Sequence, residues 1–427
     1  MLDLKFILKN IDEVKRNCEN RNISVDMDAL AALAAERSSL TEEVEGIRMQ
    51  QNQTAKAMKG KLTQEERQEL IKKGAELKAT ASDKETELKR INSELREIQS
   101  KIPNMTHPDA PVGKGEESNR NESFFMEPTK FGFEPKDHVE LGKSLGILDF
   151  DGGAKVTGQK FYFLKGDGVL LEQALINFAL LKLVSKGFMP HITPDLAKNS
   201  VLFGTGFNPR GDEAQIYSVE NSDMSLIATA EITLAGLYSG EVLKESDLPL
   251  RLAGYSHCFR TEAGAYGKSS KGLYRVHQFS KVEMFAYTTP SQSEEMLKEL
   301  LGIEKEIFSD LKIPYRVIEC CTGDLGGPAY RKYDIEAWMP GREGGSYGEV
   351  TSTSNCTDYQ ARRLNIKYKD EKTKKSEYVH TLNGTAIAVS RGIISILENY
   401  QQEDGSVVVP EVLRPFMGKD AIRPVNK

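Results

Sequence analysis

The densest run of reactive side chains lies between Cys258 and Glu283. Cys258-Phe-Arg-Thr-Glu-Ala-Gly264 is followed by Gly272-Leu-Tyr-Arg-Val-His-Gln-Phe279 and then by Glu283. The pattern predicts a strand, a glycine-bearing loop and a second strand. A spacing of two puts Arg260 and Glu262 on one face of the first strand. It puts Arg275, His277, Phe279, Lys281 and Glu283 on one face of the second. Guanidinium groups suit phosphate and carboxylate oxygens through bidentate hydrogen bonds. An aromatic ring beside them can stack on a base, and a carboxylate can accept from an exocyclic amine. An ordinary ion-pair ladder on an exposed sheet face has the same composition, so the residues alone leave both readings open.

Two smaller clusters carry chemistry of their own. Thr229-Ala-Glu231 sits in apolar surroundings, where a carboxylate needs a partner. It is also a plain helix start, with Thr229 as cap and Glu231 in the first turn, where the helix dipole favours an acid. Glu336-Ala-Trp338 and Gly348-Glu-Val-Thr-Ser352 read as a pair of short strands, and Glu349 with Ser352 offers hard oxygen donors to a cation such as Mg2+.

The elements that must position these groups differ along the chain. From Asp28 to Ile102 there is neither proline nor aromatic residue. Leu30, Leu33, Leu40, Val44 and Ile47, then Leu70, Leu77, Ala81, Leu88, Ile91, Leu95 and Ile98, recur at heptad spacing. Gly60 offers a stop, and Thr63 with Glu66 has capping-box spacing for a restart. The pattern predicts an antiparallel hairpin of two helices reaching about 45–60 Å. Arg37, Gln51, Thr54, Gly74 and Lys84 interrupt its seam, so the coiled coil should be marginal. Residues 1–102 are read as this arm, 103–121, rich in proline and glycine, as a linker, and 122–427 as a second domain. There, helices are expected near Leu170–Val184, Ser291–Leu311 and Ser390–Tyr400. Strands are expected near Phe188–Ile192, Leu250–Phe259, Val276–Ala286 and Tyr315–Cys320. Without regular βαβ alternation, this favours an α+β fold with a mainly antiparallel sheet.

Bulk properties exclude some functions. Of the 427 residues, 57 are Lys or Arg and 63 are Asp or Glu, a net charge of −6 that rules out a uniformly basic nucleic-acid coat. No unbroken stretch approaches the ~18 apolar residues of a spanning helix, so no membrane association is expected. Five cysteines without a CxxC pair, and an N-terminus without a signal-peptide pattern, point to a reducing, cytoplasmic setting. No GxGxxG opens a helix after a strand, and no GxxxxGK[ST] occurs, which disfavours two common nucleotide folds.

Taken together, the motifs resemble a known family. Phe259–Glu262 with Arg275–Phe279 resembles motif 2 of class II aminoacyl-tRNA synthetases, and Asn383-Gly-Thr-Ala-Ile-Ala-Val-Ser-Arg391 resembles motif 3. The apolar run from Leu170 through Ile192-Thr-Pro194 resembles motif 1, the dimer interface of that class. Within the class, Thr229–Glu231, Asn355–Arg363, His380–Gly384 and Glu398–Gln402 resemble signatures of the seryl-tRNA synthetases. The N-terminal hairpin resembles their tRNA-binding arm. Ala386, Ala388 and Ser390 stand where the family tends to glycine.

The resemblance implies ATP-dependent activation of L-serine and transfer of the seryl group to tRNA(Ser), and also to tRNA(Sec), by a homodimer using Mg2+. It implies catalytic roles for Arg260 and Arg391. Serine would be held by Thr229, Ala230, Glu231, Arg260, Glu283, Asn383 and Thr385. ATP would meet Arg260, Thr261, Glu262, Arg275, Val276, His277, Phe279, Glu349, Val350, Thr351, Ser352 and Arg391, with Glu349 and Ser352 as the Mg2+ ligands. An aminoacyl carrier-protein ligase of the same superfamily is the alternative, and the long arm argues against it.

Overall fold

The computed structural model describes residues 1–207, 216–262 and 271–425. It divides into two compact units, Met1–Pro103 and Asn104–Lys427. In the first, two short helices, α1 (Leu4–Lys9) and α2 (Ile11–Asn20), precede two long ones, α3 (Met27–Ala57) and α4 (Gln64–Lys101). At 1.5 Å per residue, the 38 residues of α4 span about 57 Å. Its start is the expected capping box: the Thr63 hydroxyl accepts from the Glu66 amide while the Glu66 carboxylate accepts from the Thr63 amide.

The long helices run antiparallel, as their cross-links show. Glu43 pairs with Lys84, Arg48 with Glu85, and the Gln51 amide group donates to the Leu77 carbonyl at 3.1 Å. Leu30, Ala34, Leu40 and Val44 are buried in α3, and Ala81, Ile91 and Leu95 in α4. Beyond Val44, Thr54 is the remaining buried residue of α3, and α4 buries nothing before Ala81. The seam is therefore apolar at its base and thin towards the turn, where Gln51, Thr54 and Gly74 interrupt it. Exposed ion pairs add little to such a hairpin, so its stability rests on the basal apolar contacts.

The second unit is built on an eight-stranded sheet. Its strands are β1 (Arg120–Phe125), β2 (Met189–Ile192), β3 (Leu250–Phe259), β4 (Gln278–Thr288), β5 (Tyr315–Glu319), β6 (Arg331–Met339), β7 (Ser346–Asn355) and β8 (His380–Ala388). They lie in the order β1-β5-β6-β7-β8-β4-β3-β2. Every neighbouring pair is antiparallel except β2 with β3. Segment 103–121 is tied along this unit. The Asn104 side chain donates to the carbonyls of Pro328 and Cys356 at 2.9 Å, and the Thr322 amide donates to the Pro111 carbonyl.

Strand alternation decides which residues face the site. On β4, Val282, Met284 and Ala286 enter the main core with apolar residues of helices α5 (His138–Ser144), α6 (Asp167–Ser185), α8 (Ser293–Asp310) and α10 (Val389–Asn399). Phe285 and Tyr287 turn the other way, into a second cluster with Ala230 and Leu234 of α7 (Ala230–Gly236) and Ala361 of α9 (Tyr359–Leu364). Phe279, Lys281 and Glu283 share that second face and line an open cavity instead. Burial on one face thus fixes the register that presents polar groups on the other.

Three sequence expectations need correction. The strands around Glu336 and Glu349 are not short: β6 has 9 residues and β7 has 10, paired along their length. Strand parity does not place Arg260, Glu262, Arg275 and His277, because β3 ends at Phe259 and β4 starts at Gln278. Glu262 has φ +50°, a left-handed conformation that no strand continues through. Finally, α6 is long and apolar enough to cross a membrane by length and composition. Single polar residues hid it from a search for an unbroken run. In the fold its Leu171, Leu175, Ala179 and Leu183 are buried in the core.

Candidate active site

A cavity of about 490 Å3 opens on the polar face of the sheet. At its inner end, six side chains from four elements converge. Thr229 caps α7, accepting from the Glu231 amide at 3.1 Å, and its hydroxyl also donates to Glu283 Oε2 at 3.3 Å. Glu231 Oε1 accepts from Gln360 Nε2 of α9 at 2.7 Å and from Asn383 Nδ2 of β8 at 2.9 Å. Thr385, facing Glu283 across the β4–β8 ladder, completes the group. Thr229 is therefore the helix cap that the sequence predicts and also a member of this polar group.

A neighbouring negative charge raises the proton affinity of a carboxylate. Burial first, and the Glu283 charge second, push Glu231 up to about 7, against the pull of Gln360, Lys281 and Arg260. The Lys281 ammonium is itself buried and ion-paired with Glu283.

The outer part of the cavity is rich in arginine. Arg260 lies beside Phe279, its guanidinium carbon 5.2 Å from the ring centre. Its backbone is locked to the opposite chain: the Arg260 amide donates to the His277 carbonyl, and the His277 ring Nδ1 meets the Arg260 carbonyl at 2.8 Å. Arg275 reaches Glu262 at 3.3 Å, which brings the two motif 2 segments together without strand pairing. Arg391, at the start of α10, donates to both the backbone and the side-chain oxygen of Glu349 at 2.9 Å and stacks on Tyr274.

Tyr274 and Arg275 follow Gly272, whose φ is +66°. A β-carbon at Gly272 would lie 2.2 Å from His138 Nε2. That imidazole accepts from the Leu273 amide and contacts Glu398 of α10 through Nδ1 at 2.7 Å. One helix thus carries Arg391 and anchors the segment that Arg391 stacks against.

Glu349 and Ser352 lie on the cavity wall with hard oxygen donors, as a Mg2+ ion requires. Partial desolvation against the cavity wall raises the Glu349 carboxyl, but Arg391, Lys332 and Arg260 outweigh it and hold the group below the usual range, so the donor is ionised. The residues fit the ion. Among the described residues, the three-ligand cluster lies elsewhere, at Cys320, Asp324 and Asp334. There the Lys332 ammonium stands 3.2 Å from Asp334 and 3.7 Å from Asp324, in a cation's place.

Most expected site residues line this one cavity: Thr229, Glu231, Arg260, Glu262, Arg275, Val276, Phe279, Glu283, Glu349, Val350, Thr351, Ser352, Asn383, Thr385 and Arg391. Ala230, Thr261 and His277 do not. Ala230 is buried in the second cluster, and the His277 ring packs 5.2 Å from that of Phe161. Ala263 and Gly264 of motif 2 lie outside the described residues. Of the positions that depart from glycine in motif 3, Ala388 and Ser390 line the cavity and Ala386 is in the core. Sequence reasoning assigned no role to Lys281, Tyr274, Gln360 or Lys332. Lys281 shares the strand parity of Glu283, and that signal was available.

Residues 1–106 match the family described as "Seryl-tRNA synthetase N-terminal domain", and residues 216–400 match "tRNA synthetase class II core domain (G, H, P, S and T)". The serine–tRNA ligase of Rubrobacter xylanophilus is 58% identical over 427 residues, covering all of both chains. This chain belongs to the seryl-tRNA synthetase family. The Treponema denticola serine–tRNA ligase is 54% identical over 99% of this chain and all of its own. Among solved structures, the seryl-tRNA synthetase of Pyrococcus horikoshii complexed with ATP has a TM-score of 0.91 at 42% identity, with full coverage of both chains. The cytoplasmic serine–tRNA ligase of Naegleria fowleri in complex with AMP has a TM-score of 0.84 at 32% identity, covering all of this chain and 99% of its own. A carrier-protein ligase is not favoured, because the seryl-type N-terminal domain is present.

Proposed function

We propose that this chain is a serine–tRNA ligase, activating L-serine with ATP and passing the seryl group to the 3′ end of tRNA(Ser). The observation that carries this reading is the buried group of Thr229, Glu231, Glu283, Asn383 and Thr385, opening into the same cavity as Arg260, Phe279 and Arg391. A small zwitterion with a hydroxyl fits the inner end. Its ammonium meets Glu231 and Thr229, its hydroxyl meets Glu283 and Thr385, and its carboxylate points towards Arg260.

The serine carboxylate attacks the α-phosphorus of ATP, forming seryl-adenylate and releasing pyrophosphate. Arg260 stays with the charge as it moves between carboxylate and phosphate, the kind of fixed donor that lowers such barriers. Glu262 reads the adenine amine, Phe279 and Arg391 flank the ring, and Arg275 lies towards the distal phosphates, while His277 holds the Arg260 backbone from outside the cavity. Glu349 and Ser352 hold Mg2+, which when bound supplies charge neutralisation at the phosphates. Placement rather than covalent help from the protein does most of the work.

In the second step the terminal ribose hydroxyl of tRNA displaces AMP. The α3–α4 hairpin is the tRNA-binding arm and reads shape, so the proposal extends to tRNA(Sec). Exposed apolar residues of α6 and β2, among them Leu181, Met189 and Ile192 (84% exposed), support a homodimer formed through this face. All five cysteines are free, which suits a reducing cytoplasm. Charging of total tRNA with labelled serine tests the function. Serine ester on tRNA is expected, and its absence would refute the proposal.

A pH dependence follows. Only the ionised form of Glu231 attracts an ammonium, and its value of about 7 lies above that of an ordinary glutamate. Serine kcat/KM in ATP–pyrophosphate exchange should therefore rise with pH through about 7 and level off above it. On the acid side it should fall about tenfold per pH unit. The ATP kcat/KM at saturating serine should lack this limb.

A further inference from the structure

Lys281 is a buried ammonium on the wall of the amino-acid pocket, and the reaction as described gives it no task. It stands two residues before Glu283 on β4, so both side chains leave the same face of the strand. It pairs with Glu283 Oε2, the oxygen that also receives the hydroxyls of Thr229 at 3.3 Å and Thr385 at 3.5 Å. Three donors therefore converge on Oε2, while Oε1 has no donor among the described residues. We propose that Lys281 is a positioning residue for serine selection: it pins Glu283 by one oxygen, leaving the other to accept the substrate hydroxyl, and supplies the cation that lets two carboxylates share one pocket. The inference rests on the serine-activating reading above.

Glu231 faces polar and charged groups from several elements. Gln360 and Asn383 donate to it but are neutral. Glu283 adds a like charge, and Lys281 and Arg260 oppose it. Glu304, on α8, is pushed well above the usual carboxylate range by burial. Arg260 is committed to the reacting carboxylate and phosphate, so Lys281 is the standing counter-charge. Without it, the two carboxylates would compete for a proton, and a protonated Glu283 would be free to rotate and donate rather than accept.

Lys281→Met keeps the length and removes the charge, whereas Lys281→Arg keeps the charge. The test is serine-dependent ATP–pyrophosphate exchange from pH 6 to 9 on the full-length enzyme, with ATP KM and the alanine rate measured alongside. For Lys281→Met, serine KM is expected to rise by about tenfold or more, with ATP KM nearly unchanged. The acid limb should move up by about half a pH unit or more, and the preference for serine over alanine should narrow. Lys281→Arg should restore much of each. Wild-type serine KM and pH limb in Lys281→Met would overturn the proposal. So would equal losses for serine and ATP, or a defect that Lys281→Arg does not relieve. If the wild-type enzyme itself shows no serine-dependent exchange, the serine-activating reading fails instead.

Discussion

Glu283→Gln is expected to lower kcat/KM for serine by about a hundred- to thousand-fold, with KM for ATP nearly unchanged. The amide keeps the shape of the side chain but exchanges a charged acceptor for a neutral group that can turn its NH2 towards the hydroxyl. The effect is large because the site is dry: Glu283 is 2% exposed, and water cannot replace a lost partner. The same reasoning explains rejection of alanine, which would leave Glu283 Oε1 desolvated and unpaired, a discrimination of about 10⁴–10⁵ in sites of this kind. In Glu283→Gln that discrimination should largely collapse. Glutamine is the better probe than alanine, because truncation would strand the Lys281 ammonium and cost about 3–5 kcal/mol of stability. Unchanged serine kinetics in Glu283→Gln would refute the assignment of the hydroxyl to this residue.

Replacing Leu30–Ile98 with a short glycine linker is expected to leave serine-dependent exchange near the wild-type rate and to reduce tRNA charging by about a thousandfold or more. The residues lining the cavity all belong to Asn104–Lys427. The buried seam of α3 and α4, from Leu30 and Leu40 to Ile91 and Leu95, closes on itself within the first unit. Chemistry and reach are thus carried by separate parts of the chain. The acids and bases of the arm are interleaved, so tRNA binding should be of moderate strength and weaken with salt. Normal charging by the shortened protein would show that the hairpin is not the tRNA-binding arm.

The parts of this molecule that follow periodic rules were legible without coordinates. The heptad spacing and the Thr63–Glu66 box gave the hairpin to within a few residues, because each depends on local contacts. The β3 and β4 strands were visible from alternation, and so was the common face of Phe279, Lys281 and Glu283. Where the chain leaves regular structure, parity lost its force. Arg260, Glu262 and Arg275 reach the cavity from beyond the strand ends, through a left-handed turn at Glu262 and the Gly272 turn seated on His138. Contacts between distant segments had no signature in spacing. Gln360 on Glu231 and Arg391 on Glu349 join residues far apart in the chain. Motif resemblance put Arg391 and Glu349 in one site, but it assigned nothing to Gln360 or to Lys281, whose meaning depends on which oxygen of Glu283 it occupies.

The inner end of the cavity is expected to select a hydroxyl-bearing amino acid for adenylation. ATP–pyrophosphate exchange measured with each of the twenty amino acids in turn tests it most directly. Serine should stimulate exchange, with alanine, glycine and threonine slower by orders of magnitude. Exchange driven best by any other amino acid, or by none, would contradict the account.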